Sequence, residues 1–179
     1  MKNDITPPDR IIDFITGQPL PNEGAEANRQ TVEQHLVHRL AFQPADININ
    51  CPIAVTINKE TYRSRIDLVV HIDGRIVMAI KCAAGSLESR QREIVAAARL
   101  LTDYQIPLSV VSDGQTAFVY DTVSGKKIGT GMAAIPCRKE TARLAETAEF
   151  IPYPEDRRDR EAIIFKSYDT MNINMTRNR

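Results

Sequence analysis

An acid, Asp67, and a base, Lys81, stand at the two ends of the apolar stretch SRIDLVVHIDGRIVMAIKCAAGS, residues 64–86. If its halves pair as antiparallel strands about Asp73-Gly74-Arg75, both charges come to the same end of one face. A metal-dependent phosphodiesterase centre has that layout, with carboxylates holding a divalent cation and a lysine stabilising charge on the phosphate. Here a cation stands where a second acid belongs.

The pairing register follows from the side-chain pattern. A three-residue loop Asp73-Gly74-Arg75 sets Ile72 opposite Ile76 and Asp67 opposite Lys81. Ile66, Leu68, Val70 and Ile72 then share a wholly apolar face with Ile76, Met78 and Ile80, and Asp67, Val69, His71, Val77, Ala79 and Lys81 occupy the other. A two-residue Asp-Gly turn would set Asp67 against Ile80 and turn Lys81 towards the apolar face, where an unpaired ammonium is costly. The three-residue loop is therefore the expected one.

These strands belong to a chain of 179 residues, the size of one domain with tails. Lys+Arg 23 balances Asp+Glu 23, so there is no global basic field, and any nucleic-acid contact must come from local patches. Cys51, Cys82 and Cys137 are odd in number and widely spaced, as expected of reduced thiols in a cytoplasmic protein. No apolar run is long enough for a signal peptide or a membrane span.

Along the chain, residues 1–25 carry Pro7, Pro8, Pro19, Pro21 and Gly24 and read as an arm. A helix is predicted over 28–42, capped by Asn28, with Val32, Leu36, Val37 and Leu40 on one side and Pro44 as its stop. A strand follows over 47–57, and Pro52 either makes it an edge strand or delays its start. After the central pair, residues 86–104 form an amphipathic helix, and residues 107–112, 117–122 and 127–129 form short strands with turns at Asp113-Gly114 and Ser124-Gly125. Residues 137–153 read as polar connection, and Pro154 opens a terminal helix to Tyr168. The order implies an α/β fold with a central mixed sheet flanked by helices, divided as arm 1–25, main domain 26–150, and C-terminal helix and tail 151–179.

Other residues compete for roles. Glu33 lies on the first helix and is a candidate acid, vestigial or relocated, its plainer reading being a solvated helix charge. Glu88 and Glu93 flank the next helix; solvent exposure is the plain expectation, migration into the site the sharper one. His35 and His38 have helical i, i+3 spacing but lack an acid or thiol nearby in sequence. Cys82 beside Lys81 reads as a buried thiol. Arg157, Arg158 and Arg160, interleaved with Asp156, Asp159 and Glu161, suit salt bridges along a helix better than a phosphate track.

Several pieces together resemble the N-terminal nuclease-like domain of type I restriction enzyme R subunits, within the PD-(D/E)XK superfamily. They are Arg29-Gln30-x-Val32, Arg65-x-Asp67, the Gly74 turn, the strand ending in Lys81-Cys82, and Ile106-Pro107 leading to Val110-Val111-Ser112-Asp113-Gly114. The resemblance implies a restriction-endonuclease-like core, action on or near DNA, other restriction-modification subunits as partners, and Mg2+ as cofactor if the centre is active. It places Asp67 at the first acid, Lys81 at the second and Ala83 at the lysine; a slipped alignment gives Ala79-Ile80-Lys81, keeping the lysine and again losing the acid. The expected centre is degenerate, leaving a binding or assembly role. Two other roles stay open: a Mg2+-dependent endonuclease using Asp67 and Lys81 with Glu33, Glu88 or Glu93 as relocated ligands, and a regulatory module that does not bind nucleic acid.

Overall fold

The computed structural model describes residues 9–177, with side chains to Met171. Part of the arm and the last residues of the tail lie outside the described residues. A sheet of six strands runs in chain order: β3 (Ile47–Ile57), β4 (Glu60–Ile72), β5 (Arg75–Cys82), β6 (Leu108–Ser112), β7 (Ala117–Asp121) and β8 (Lys127–Thr130). All neighbours are antiparallel except β5 and β6, which are parallel and joined through helix α2 (Gln91–Leu100). The sheet is mixed, and β3, the strand that carries Pro52, lies at its edge.

Helices cover both faces. Helix α1 (Glu26–His38) buries Val32 and Leu36 against Leu68, Val70, Met78, Ile80 and Val110. On the other face α2 and the long helix α4 (Glu155–Arg177) enclose Val69, Ala79, Val111, Ile94, Ala97 and Phe165. Helix α3 (Arg138–Thr147) lies on the α1 side in the stretch expected to be a polar connection. Its only fully buried residue is Thr141, so it carries almost no apolar signal, and the Cys137/Glu140 capping box marks its start. The α/β arrangement is as expected and is compatible with a restriction-endonuclease-like core.

The turn of the central pair differs from expectation. Ile72 pairs with Arg75, not Ile76, across a two-residue Asp73-Gly74 turn with φ 49° and 79°. Positive φ at both central residues matches the twist of the strands, and Asp-Gly accepts it. Between Val70 and His71 the register then shifts by one residue, and Leu68 faces Ile80. This bulge lets Val77 and Met78, neighbours in sequence, both pack on the α1 side. The bulge thus restores the register that the shorter turn would have lost, and Asp67 and Lys81 still meet.

A second irregularity lies beside Asp67. Pairing between β3 and β4 runs from Ile49 with Leu68 to Cys51 with Ile66, passing over Asn50, whose φ is +50°. Beyond this point Ile66, Ile53 and Val55 pack in the α2/α4 cluster, whereas Leu68 and Val70 pack under α1. The single apolar face expected to include Ile66 is therefore split, and Asp67 sits where the split occurs.

Smaller differences have local causes. Helix α1 starts two residues before Asn28, which instead donates its side-chain amide to the Ala83 carbonyl at 2.6 Å. It ends before Pro44, with Ala41 at φ 61° turning the chain away. The arm contains a short antiparallel pair, β1 (Arg10–Ile12) and β2 (Pro19–Pro21). Gly114, at φ +85°, brings the β6–β7 turn against α1, where an added Cβ would lie 2.9 Å from the Thr31 Cβ.

Candidate functional site

Three elements converge at the end of β5. Strand β4 supplies Asp67, β5 supplies Lys81, and α2 supplies Glu93. The Lys81 Nζ lies 3.5 Å from the Asp67 carboxylate and 3.2 Å from Glu93 Oε1. Asp67 Oδ2 also accepts the Cys82 backbone N–H at 2.7 Å, standing in for a ladder carbonyl where the strand pairing has lapsed. Glu93 is almost wholly buried and has Arg90 as a second cation at 3.8 Å.

The electrostatics explain why Lys81 stays charged. Burial alone would lower its pKa, but Asp67 and Glu93 outweigh it, with a further contribution from Asp169 of α4, and the amine is held above its ordinary value. Burial pushes Glu93 up, against the pull of Lys81 and Arg90. Asp169 is itself buried and accepts the Tyr62 hydroxyl at 2.6 Å. One ammonium thus meets two carboxylates, from β4 and α2, and feels the field of a third from α4.

A cleft of about 210 Å³ opens onto this pair and is lined on its other side by Glu23 just before α1 and by Glu26 and Arg29 in its first turn. Arg29 is buried, with Asp13 at 2.8 Å and Glu26 and Glu33 each at 2.5 Å. Gln30 donates to Asp13 and Glu26 and accepts the Phe14 backbone N–H, which fastens the arm to α1. In this chain the Arg29-Gln30 pair is thus a structural latch.

The sequence candidates separate on this frame. Glu33 is fully buried, not a solvated helix charge; burial raises its pKa to about 7 against the pull of Arg29, and it pairs with that arginine, not with Lys81. Glu93 is likewise buried, contrary to the plain expectation of solvent exposure, and joins Lys81. Glu88 is exposed and, among the described residues, accepts only the Ser86 hydroxyl. Cys82 is buried, and desolvation pushes its thiol well above the usual range. Ala83 is packed into the α2/α4 cluster with its N–H bonded to the Ser112 carbonyl.

A divalent ion does not fit this arrangement. Such ions take about six oxygen ligands. Here the gap between the Asp67 and Glu93 carboxylates holds an ammonium, and one Asp67 oxygen is engaged by the backbone. Among the described residues no group of three or more His, Cys, Asp and Glu side chains is arranged to hold a metal, His35 and His38 included.

A family model, type I restriction enzyme R protein N terminus, matches residues 24–136, more than half of the chain. The chain belongs to that family. The matched span runs from the start of α1 through β8, so Asp67, Lys81, Glu93, the Arg29 latch and the Asp113-Gly114 turn all fall inside it, while α3 and α4 follow it. Neither curated proteins nor solved structures give a match. No helix among the described residues is long and apolar enough to cross a membrane.

Asp169 and the Asp13–Arg29 pair were missed from the sequence. Asp169 lies far along a helix whose charged residues mostly face solvent, and nothing local marks it, or Glu161 before it, as turned inward. Arg29 and Glu33 did carry a signal, the i, i+4 spacing of an ion pair, but that spacing is ordinary on solvated helices and says nothing of burial.

Proposed function

We propose that this chain is a PD-(D/E)XK-type module that acts on or near DNA by binding or assembly, alongside other restriction-modification subunits, and that its cleavage centre is degenerate. The observation supporting this is the position of Lys81 Nζ, 3.2 Å from Glu93 and 3.5 Å from the Asp67 carboxylate. The ammonium satisfies two carboxylates that would otherwise recruit a divalent ion and repels any ion that approaches. Asp67, Lys81 and Glu33 then have structural roles: the first two form a charge clamp across β4, β5 and α2, and Glu33 serves the arm latch. No cofactor is required.

The test is calorimetric Mn2+ titration with a plasmid-nicking assay on wild type, Asp67→Asn, Lys81→Ser, and Lys81→Ser with Asp67→Asn. The wild type should neither bind Mn2+ measurably nor nick DNA. Lys81→Ser should gain Mn2+ binding, seen also as a Mn2+-dependent rise in Tm, and the added Asp67→Asn should remove it. One observation favours the rival reading of a Mg2+-dependent endonuclease: the relocated acid it needs, Glu93, does reach the centre. If wild type binds Mn2+ and nicks DNA, and Asp67→Asn abolishes both, that rival replaces the degenerate reading.

A further inference from the structure

A larger groove lies elsewhere on the α2/α4 face. Its volume is about 650 Å³, within the roughly 300–1,000 Å³ of small-molecule sites. Its walls are the outer side of α2, the first turns of α4 and the Ser124-Gly125 turn between β7 and β8, and it shares no lining residue with the Asp67/Lys81 cleft. Four arginines line it, and the one acid among them is Glu161.

The floor of the groove is fixed by its own bonds. Arg99 donates through Nε to the Thr122 carbonyl, through a terminal nitrogen to the Val123 carbonyl at 3.2 Å, and to Glu161 at 2.8 Å. The Tyr153 hydroxyl donates to the other Glu161 oxygen, and the Arg99 guanidinium lies over the Tyr153 ring. Glu161 is therefore neutralised from below, and Gln91 pins the Gly125 carbonyl.

The rim is different. Arg92, Arg157 and Arg160 are exposed, and among the described residues Arg92 and Arg160 have no ion-pair partner. Among the described residues Arg157 has only its sequence neighbour Asp156, at 4.0 Å, with both side chains largely in water. The salt bridges expected along this helix are realised at Arg158 with Glu155, on residues that do not line the groove. Three guanidinium groups from two helices therefore project over a rigid, neutralised floor in a chain of zero net charge. Guanidinium forks match phosphate oxygens in geometry and charge.

We propose that this groove is a binding site for phosphate esters of nucleotide size, held by Arg92, Arg157 and Arg160 over the Arg99–Glu161–Tyr153 floor. The phosphate can come from a free nucleotide or from the backbone of a DNA strand. The proposal does not depend on the state of the Asp67/Lys81 centre.

The test titrates the full chain, in EDTA and at low salt, with ATP, inorganic pyrophosphate and a short DNA duplex. The variants are Arg92→Glu with Arg160→Glu, and Arg143→Glu on exposed α3 as a charge control, each checked for an unchanged melting curve. Saturable binding that weakens about tenfold or more in the double variant and not in Arg143→Glu is expected. ATP or pyrophosphate binding without duplex binding identifies a free nucleotide; duplex binding alone identifies the strand backbone, and its affinity should fall steeply with salt in the wild type. Absence of saturable binding to all three probes, unchanged affinity in the double variant, or an equal loss in Arg143→Glu overturns the proposal.

Discussion

Replacing Lys81 by Met removes the ammonium and keeps most of the side-chain volume, so it isolates the charge clamp. At 3.2 Å and 3.5 Å, each attraction is about 5 kcal/mol gross at an effective dielectric near 20. Burying the ammonium offsets part of that. What remains in the variant is Glu93, 2% exposed, without its nearest cation, and Asp67 held only by the Cys82 amide. Removing one partner of a buried pair costs about 3–5 kcal/mol, which is the loss expected at pH 8. Lys81 has a raised folded pKa, so its stabilisation is fully present below its unfolded value of about 10.4 and is lost only as pH rises through the folded one. From pH 5 to 8 the Lys81 charge in the wild type is therefore constant. In Lys81→Met the already raised Glu93 rises further, because the cation that opposed its burial has gone. The variant then takes up a proton as pH falls, and the gap to wild type narrows towards pH 5. Adding Glu93→Gln should recover half or more of the loss at pH 8 and flatten that dependence. Urea denaturation at pH 5, 6.5 and 8, with m unchanged, measures all three curves. A loss under about 1 kcal/mol at pH 8, or a gap independent of pH, would refute the clamp.

Two further perturbations follow from burial. Leu68→Ala or Ile80→Ala, each fully buried in the α1-side core, should cost about 2–5 kcal/mol by lost transfer energy and the cavity left behind, read as a fall in urea midpoint; a cost under about 0.5 kcal/mol would place that face in solvent. Glu33, raised from 4.5 to about 7, keeps its proton in the fold where the unfolded chain has released it, so its contribution to stability is present below about pH 4.5 and lost as pH rises towards 7. Glu33→Gln should flatten that slope, worth about 3 kcal/mol in total, in denaturation series from pH 4.5 to 8; an unchanged slope would mean that Glu33 is ionised across the range.

The sequence of strands and helices and the meeting of Asp67 with Lys81 were legible because each rests on a pattern of near neighbours, whereas the strand order and the parallel β5–β6 crossover rest on long-range pairing. Alternation gave the strands, and Asp-Gly and Ser-Gly gave the turns. The Asp67–Lys81 register was reached through the wrong loop: a two-residue turn and a bulge together yield the same far end as a three-residue loop without one. Alternation along 66–72 also concealed the break at Asn50, because a residue with positive φ in a strand leaves no mark on the apolar pattern. Helix α3 was missed because it buries only Thr141 fully.

The burial of charge was the least legible property, and it is the one that decides the site. Glu33 and Glu93 read as solvated helix acids because isolated buried carboxylates are rare. Both are buried because a cation from elsewhere meets them: Arg29 from the preceding turn for Glu33, and Lys81 from a strand for Glu93. That dependence runs in both directions. Lys81 can stay charged at the end of β5 because α2 brings Glu93 within 3.2 Å and Asp169 of α4 adds its field. A lysine there with only Asp67 beside it would pay most of its desolvation unpaired. If the centre is degenerate as proposed, loss of the strand acid and recruitment of a helix acid are one change: the carboxylate that a metal would have required from β5 is supplied by α2, with the ammonium taking the place of the ion between them.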